Sequence, residues 1–322
     1  MTEPMKGVLA MLTACTVWGL SALYYKMLAH VPPLEVLSHR TLWSLIFFSG
    51  VLVVQGRLRL MPELLRGGGL WPVALAALMI SANWFMFIYS VQAGHTVEAS
   101  LGYYIFPLVA VLIGMVAFKE RLRPLQTVAV LLALLAVIVL TIGLGVTPWI
   151  ALALAGTFGF YGMIKKRISA GPVVSVSAEV LVLAPIAILC LGVFHSGTGD
   201  FAGQEAGWFG RDALTSGLLA FSGPLTAVPL MLFSYASRRV TMATLGLVQY
   251  INPTLQFLCA TLFFAEPFTL WHQIAFALIW IALAVFSWHS FQTDRAMRRG
   301  KAQANAALKL AASVGTSGTT LK

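Results

Sequence analysis

Charge is scarce in this chain. Only 10% of its 322 residues are Asp, Glu, Lys or Arg, where a soluble domain carries about 25%. So few charges cannot cover the surface of a soluble globule of this length. With 59% hydrophobic residues and a mean hydropathy of +0.86, the expected solvent is the lipid bilayer. Cysteine is also scarce. Cys15, Cys190 and Cys259 each stand alone in an apolar run, which excludes a disulfide framework or a cysteine metal cluster and leaves inert packing thiols. No G-x-x-x-x-G-K-S/T stretch occurs, so the chain does not hydrolyse ATP through a phosphate loop. H-E-x-x-H and G-x-S-x-G are missing too, which removes the commonest zinc and serine hydrolase signatures. His195 and Asp200 have the spacing of some acyltransferase motifs, but they lie in a Ser/Gly/Thr-rich segment with no second motif. The formal net charge of +10 is spread over short loops and a tail, with no nucleic-acid-binding motif. Long connections are confined to 55–70 and 195–211, leaving no room for a soluble module.

What the chain does have is length of apolar sequence. A spanning helix takes about 20 mostly apolar residues, and ten such runs are present, at roughly 7–28, 36–54, 71–91, 97–118, 124–142, 148–164, 173–194, 212–236, 241–264 and 268–289. The first is preceded by Lys6 as a signal peptide would be, but nine further runs follow, so it is expected to remain as a helix. When the loops are assigned alternately to two sides, eighteen of the 21 Lys and Arg fall on the N-terminal side. The other side holds Lys26, Arg40 and Arg211. Basic loops stay in the cytoplasm, so both termini are expected there. Residues 290–322 form a basic, then Ala/Ser/Gly/Thr-rich stretch, expected to be a disordered cytoplasmic tail.

The runs are duplicated. Glu98–Glu120 returns as Met242–Glu266: Leu101-Gly102 matches Leu245-Gly246, Tyr104-Ile105 matches Tyr250-Ile251, Pro107 matches Pro253 and Glu120 matches Glu266. The second copy carries two extra residues before its tyrosine. Trp18-Gly19 through Lys26 likewise aligns with Phe158-Gly159 through Lys166, and Pro33 with Pro172. Each half, 5–142 and 148–289, holds an odd number of runs, so the two enter the membrane from opposite faces. Inverted repeats of this kind place a site near the midplane where the halves meet.

Ionisable groups inside a membrane are functional candidates. Arg40 lies about seven residues into the second run, and Glu179 equally deep in the seventh; the repeat makes them counterparts. They are expected to face the interior and to form a charge pair, either binding a substrate or locking the halves. His39 and Glu179 are candidate proton carriers, because both titrate and burial can shift the pKa of either group. Asn83 and Trp84 sit mid-run, as site residues or interhelical glue. Lys26 either snorkels to the interface or touches substrate. Tyr104, Gln249, Tyr250 and Asn252 surround Pro107 and Pro253; prolines there free backbone carbonyls and suit a hinge or cavity wall. Gln92, His95 and Glu98 are read as caps of a tight turn, and Glu120 and Glu266 as caps of the following helix or partners of a nearby Arg. Trp43, Trp71, Trp149, Trp271 and Trp288 are read as interface anchors.

The EASLGYYIFPL stretch, Ser38-His39-Arg40, Asn83-Trp84 and the Gln249-Tyr250-Ile251-Asn252-Pro253 run together resemble the RarD branch of the EamA-type drug/metabolite transporter superfamily, over nearly all of residues 5–290. One departure is Phe106, where that pattern often has asparagine, as Asn252 still does. The resemblance implies an all-α integral membrane protein of ten transmembrane helices, built as two inverted five-helix EamA repeats. It also implies a bacterial inner-membrane permease for a small-molecule substrate, with no cofactor, metal or catalytic residue. A polytopic membrane enzyme and a non-transporting sensor are the alternatives.

Overall fold

A computed structural model describes residues 2–66, 68–118, 124–145, 148–165, 167–196, 205–237, 239–240, 248–285 and 288. Glu120, Asp200 and the 290–322 tail lie outside these. Among the described residues there is no strand. The helices are α1 (Glu3–Met27), α2 (Pro33–Val54), the short α3 (Leu60–Leu64), α4 (Leu70–Gln92), α5 (Thr96–Phe118), α6 (Pro124–Leu144), α7 (Trp149–Lys165), α8 (Pro172–His195), α9 (Ala213–Ser237) and α10 (Ile251–Leu258). A last helix, α11, covers Leu270–Val285. Five of them (α1, α2, α4, α8 and α9) are long and apolar enough to cross a membrane by length and composition.

Local chemistry sets several boundaries. Pro33 and Pro172 open α2 and α8 at the first helical position, where a missing N–H costs nothing and φ is already helical. Pro107 lies inside continuous α5. Pro253 instead sits in the first turn of α10, so it interrupts no bond there, and the break in that run falls one turn earlier, at Tyr250. α10 runs into a π-helical turn, Cys259–Phe263, and the chain then bends through Ala265 at φ 49°. That left-handed residue aims Glu266 back at α5. The Glu266 carboxylate accepts the backbone N–H groups of Thr96 at 2.9 Å and Val97 at 2.8 Å, where the helix dipole favours negative charge. Glu266 therefore caps an earlier helix than expected: its own next helix begins at Leu270, while the open amides of α5 lie beside it.

The helices pack through small residues. Gly102 of α5 lies against the backbone of Ala151 in α7. Gly19 of α1 lies against Leu255 and the Asn252 carbonyl, and Gly223 of α9 against the backbone of Trp43. Close approach of this kind is how helices gain contact where the surroundings are as apolar as the side chains. One buried cluster joins α5, α6, α7 and α11 around Tyr104, Leu108 and Phe276; another joins α1, α2 and α4 around Tyr25, Leu28 and Phe87. The outer faces are apolar as well: Val54, Val116, Ile142, Leu189 and Phe263 are all well exposed. Such a surface is a liability in water and ordinary against lipid tails. Trp71, Trp149, Trp271 and Trp288 are exposed as anchors would be. Trp43 differs, packing 6.2 Å from the Phe209 ring and against Gly223.

Candidate functional site

The second turn of α2 carries His39 and Arg40, and the second turn of α8 carries Glu179. All three are buried. The expected Arg40–Glu179 pair does not form; each residue is held by its own half of the chain. Arg40 Nη1 donates to the Tyr25 hydroxyl at 2.8 Å, and its guanidinium carbon lies 4.1 Å from the Trp84 ring centre. Arg40 Nε is enclosed and has no hydrogen-bond partner, and none of the ion pairs among the described residues includes Arg40. Glu179 accepts from Lys165 Nζ at 2.6 Å, Ser175 Oγ at 3.0 Å and Tyr161 Oη at 3.1 Å. Lys165 Nζ also donates to Ser175 Oγ. The physical reason is register. α1 runs into α2, and α7 into α8, through short turns, so the residue near the end of the first helix reaches the second turn of the next before anything from the other half can.

A file of rings joins these two centres. Tyr25 meets Phe87 at 5.8 Å, Phe87 meets Tyr103 at 5.8 Å, Tyr103 meets Phe158 at 6.2 Å and Phe158 meets Tyr161 at 6.0 Å. Asn83 stands beside the file. Its Nδ2 donates to the Leu154 carbonyl at 2.9 Å and to Thr157 Oγ1 at 3.1 Å, and its Oδ1 accepts from Tyr103 at 3.0 Å. Thus Arg40, Asn83 and Trp84 are brought to one place, with Glu179 at the far end of the rings.

The remaining candidates lie elsewhere. Tyr104 packs with Tyr250 (ring centres 6.5 Å apart, interplanar angle 18°) and shares a 2.6 Å hydrogen bond with Thr254. It also packs on Phe276 and Trp280, away from Arg40. Asn252 Oδ1 accepts from Gln256, and Gln249 is half-buried. Lys26 Nζ reaches the Val91 carbonyl at 3.4 Å, and Gln92 donates to the Leu28 and Val31 carbonyls. His95 and Glu98 pair at 3.2 Å.

Sequence reasoning passed over Tyr25, Tyr103, Lys165 and Glu35. The repeat itself held the signal for two of them: Tyr25 and Lys165 precede the aligned Lys26 and Lys166, so they are counterparts as Arg40 and Glu179 are. Read from the sequence, Lys165 is one of the eighteen basic residues of the N-terminal-side loops and tail. Glu35 is fully buried and accepts the backbone N–H groups of Gly207 at 2.9 Å and Trp208 at 2.7 Å. It thereby fastens residues 205–212 over the start of α2. Phe209 stacks on His39 at 4.8 Å, and the two ring nitrogens of His195 lie 3.0 and 3.2 Å from the Leu191 and Phe209 carbonyls. His195 is therefore engaged in loop anchoring. A cavity of about 570 Å³ opens at the opposite end, lined in part by Arg57, Glu63, Arg66 and Arg167; it contains none of the residues singled out above. No group of three or more metal-ligating side chains occurs among the described residues.

Comparison with known proteins identifies the lineage. Residues 5–142 match the profile of the EamA-like transporter family. An uncharacterized transporter of Pseudomonas aeruginosa is 40% identical over 91% of this chain and 96% of its own length. The chain belongs to the EamA-like transporter family. The RarD protein of Streptomyces exfoliatus is 41% identical, with 92% of each chain covered. A second Pseudomonas aeruginosa relative, named a chloramphenicol-sensitive RarD protein, is 31% identical over 91% of this chain and 97% of its own. One solved crystal structure superposes with a TM-score of 0.57 at 20% identity, covering 87% of this chain and 96% of that one; at that identity the likeness speaks for the fold alone. As a RarD-type EamA protein the chain is a multi-pass membrane protein.

Proposed function

We propose that this RarD-type chain is a secondary transporter that moves a small organic solute across the bacterial inner membrane by alternating access. In this reading ten helices cross the bilayer as two inverted units, 5–142 and 148–289, with both termini in the cytoplasm. The solute binds among Arg40, Asn83, Trp84 and Tyr103.

The observation that carries the reading is the equivalence of two buried contacts. Tyr25–Arg40 and Lys165–Glu179 join counterpart residues in the two halves. Two further pairings point the same way. Gly19 meets Leu255, while its counterpart Gly159 meets Val109, the counterpart of Leu255. Tyr104 stacks on Tyr250, its own counterpart, as residues beside a pseudo-twofold axis do. A duplicated fold with costly polar groups gathered at the seam is the architecture in which a rocking motion exposes one site to each side in turn. The loop fastened by Glu35 closes one end of α2, which suits a gate. The Arg-rich distribution described above orients the Arg57 end toward the cytoplasm.

The test is counterflow. Metabolites whose levels differ between deletion and overexpression strains are offered to proteoliposomes preloaded with the unlabelled solute. Transient accumulation of label above equilibrium is expected for at least one of them. With a hit in hand, Glu179 or His39 as proton carrier predicts that uptake follows an imposed pH gradient. Absence of counterflow for every candidate would leave a non-transporting membrane protein.

A further inference from the structure

We infer that the solute bound at Arg40 is an organic monoanion, one carboxylate on a flat apolar body. The inference rests on the transporter reading for its site and adds the charge and shape of what the site takes.

The two counterpart centres are unequal. At Glu179 the negative charge is met by the Lys165 ammonium and two hydroxyls, so that centre is neutral and its hydrogen bonds are made. At Arg40 the counterpart of Lys165 is Tyr25, an uncharged phenol. The guanidinium is always protonated and only 7% exposed. Its nearest acid along α2, Glu35, already accepts two amides of the 205–212 loop. Trp84 and Tyr25 face it at 4.1 and 5.7 Å, which offsets part of the charge through the ring quadrupoles but supplies no counter-ion. Buried charges in proteins are paired or functional, and this one has no ion-pair partner among the described residues.

The geometry also says how the partner arrives. Nη1 is committed to Tyr25, while the Nε edge is free. A guanidinium edge of this kind takes a carboxylate side-on, through two parallel hydrogen bonds. From Tyr25 the rings of Phe87 and Tyr103 follow in successive contact, a wall for a planar apolar body. A cation would be repelled, and a neutral carbonyl could accept from Nε but would leave the guanidinium charge unmet. The repeat thus has one neutralised centre that holds helices and one open centre that holds cargo.

The probes are benzoate, its neutral isostere benzamide and its cationic isostere benzylamine, titrated into the purified full-length protein at constant ionic strength and read as thermal upshift. Benzoate is expected to half-saturate at a concentration about ten- to a hundredfold lower than the other two, the range for a charge-assisted hydrogen bond. In Arg40→Met the preference is expected to vanish while the unliganded protein melts close to wild type, because removing a buried charge without a counter-ion offsets the hydrogen bond lost at Tyr25. Arg40→Lys is expected to keep the sign of the preference at reduced affinity. A benzoate shift that persists in Arg40→Met overturns the inference, as does a variant that melts far below wild type, which would make Arg40 a structural lock. If the variant does not fold, the wild-type panel decides: equal half-saturation by the three probes overturns it. Arg40-dependent benzoate binding without counterflow of any solute would overturn the transporter reading alone. Counterflow of neutral solutes that benzoate does not inhibit would overturn this inference alone.

Discussion

Replacing Glu179 by Gln is expected to be among the most damaging single changes in the chain. The carboxylate is fully buried and takes three hydrogen bonds, from Lys165, Ser175 and Tyr161. Without its charge, Lys165 keeps an ammonium that has lost the one acid paired with it among the described residues. Breaking a buried pair from one side costs about 3–5 kcal/mol; the Lys165 side chain is 23% exposed, which places this pair toward the lower end. Lys165→Met should cost about as much from the other side, since it strands the carboxylate. The double variant Lys165→Met/Glu179→Gln should recover most of the loss, because two apolar or neutral groups leave no charge behind. Thermal unfolding of the four proteins gives the coupling directly. Because Glu179 answers to Lys165 and not to Arg40, the exchange Arg40→Glu with Glu179→Arg should not rescue either single variant. Wild-type stability in Glu179→Gln, or rescue by that exchange, would contradict the assignment.

Gly102→Leu is expected to separate α5 from α7. A Cβ at Gly102 would lie 2.8 Å from the Ala151 carbonyl oxygen, 3.0 Å from Leu154 Cβ and 3.1 Å from Ala151 Cα. Two of these atoms are backbone and cannot turn aside. Overpacking typically costs about 1–3 kcal/mol, and more where backbone must move. The damage should reach the site as well. The Leu154 carbonyl accepts from Asn83, and Tyr103, the next residue after Gly102, donates to Asn83. Parting the helices pulls on both bonds. Gly156→Leu is the matched control: it lies on α7, the helix that Gly102 packs against, and a Cβ there meets nothing within 4 Å. Counterflow and melting temperature should fall in Gly102→Leu and hold in Gly156→Leu. Equal behaviour of the two variants would remove the close crossing from the account.

Hydropathy made the apolar runs legible, and proline marked where α2 and α8 begin, because both signals are local. Burial of Arg40 and Glu179 was legible for a different reason: no helix can carry a charge this deep unless it faces protein. Partner choice was harder. It depends on how far one helix end reaches along the next, and the alignment contained that register in Tyr25 and Lys165 without stating which contact would form. Tyr103 and Tyr104 show a second limit. They are adjacent in sequence, yet successive side chains on a helix point about 100° apart. Tyr103 joins Asn83, while Tyr104 joins Tyr250 and Phe276. Glu35 shows a third: it stands one residue ahead of where apolarity begins, so hydropathy gave no reason to count it within the helix.

In the proposed transporter the two units lie in the bilayer in opposite senses. Membrane-impermeant thiol labelling in a background without Cys15, Cys190 and Cys259 tests it most directly. Single cysteines at Arg57 and Arg167 report one face, and cysteines at His95 and Glu205 the other. Only His95→Cys and Glu205→Cys are expected to react in intact cells, with Arg57→Cys and Arg167→Cys reacting after permeabilisation. Labelling of Arg57→Cys together with Glu205→Cys from outside, while His95→Cys stays protected, would place the halves in the same sense and contradict it.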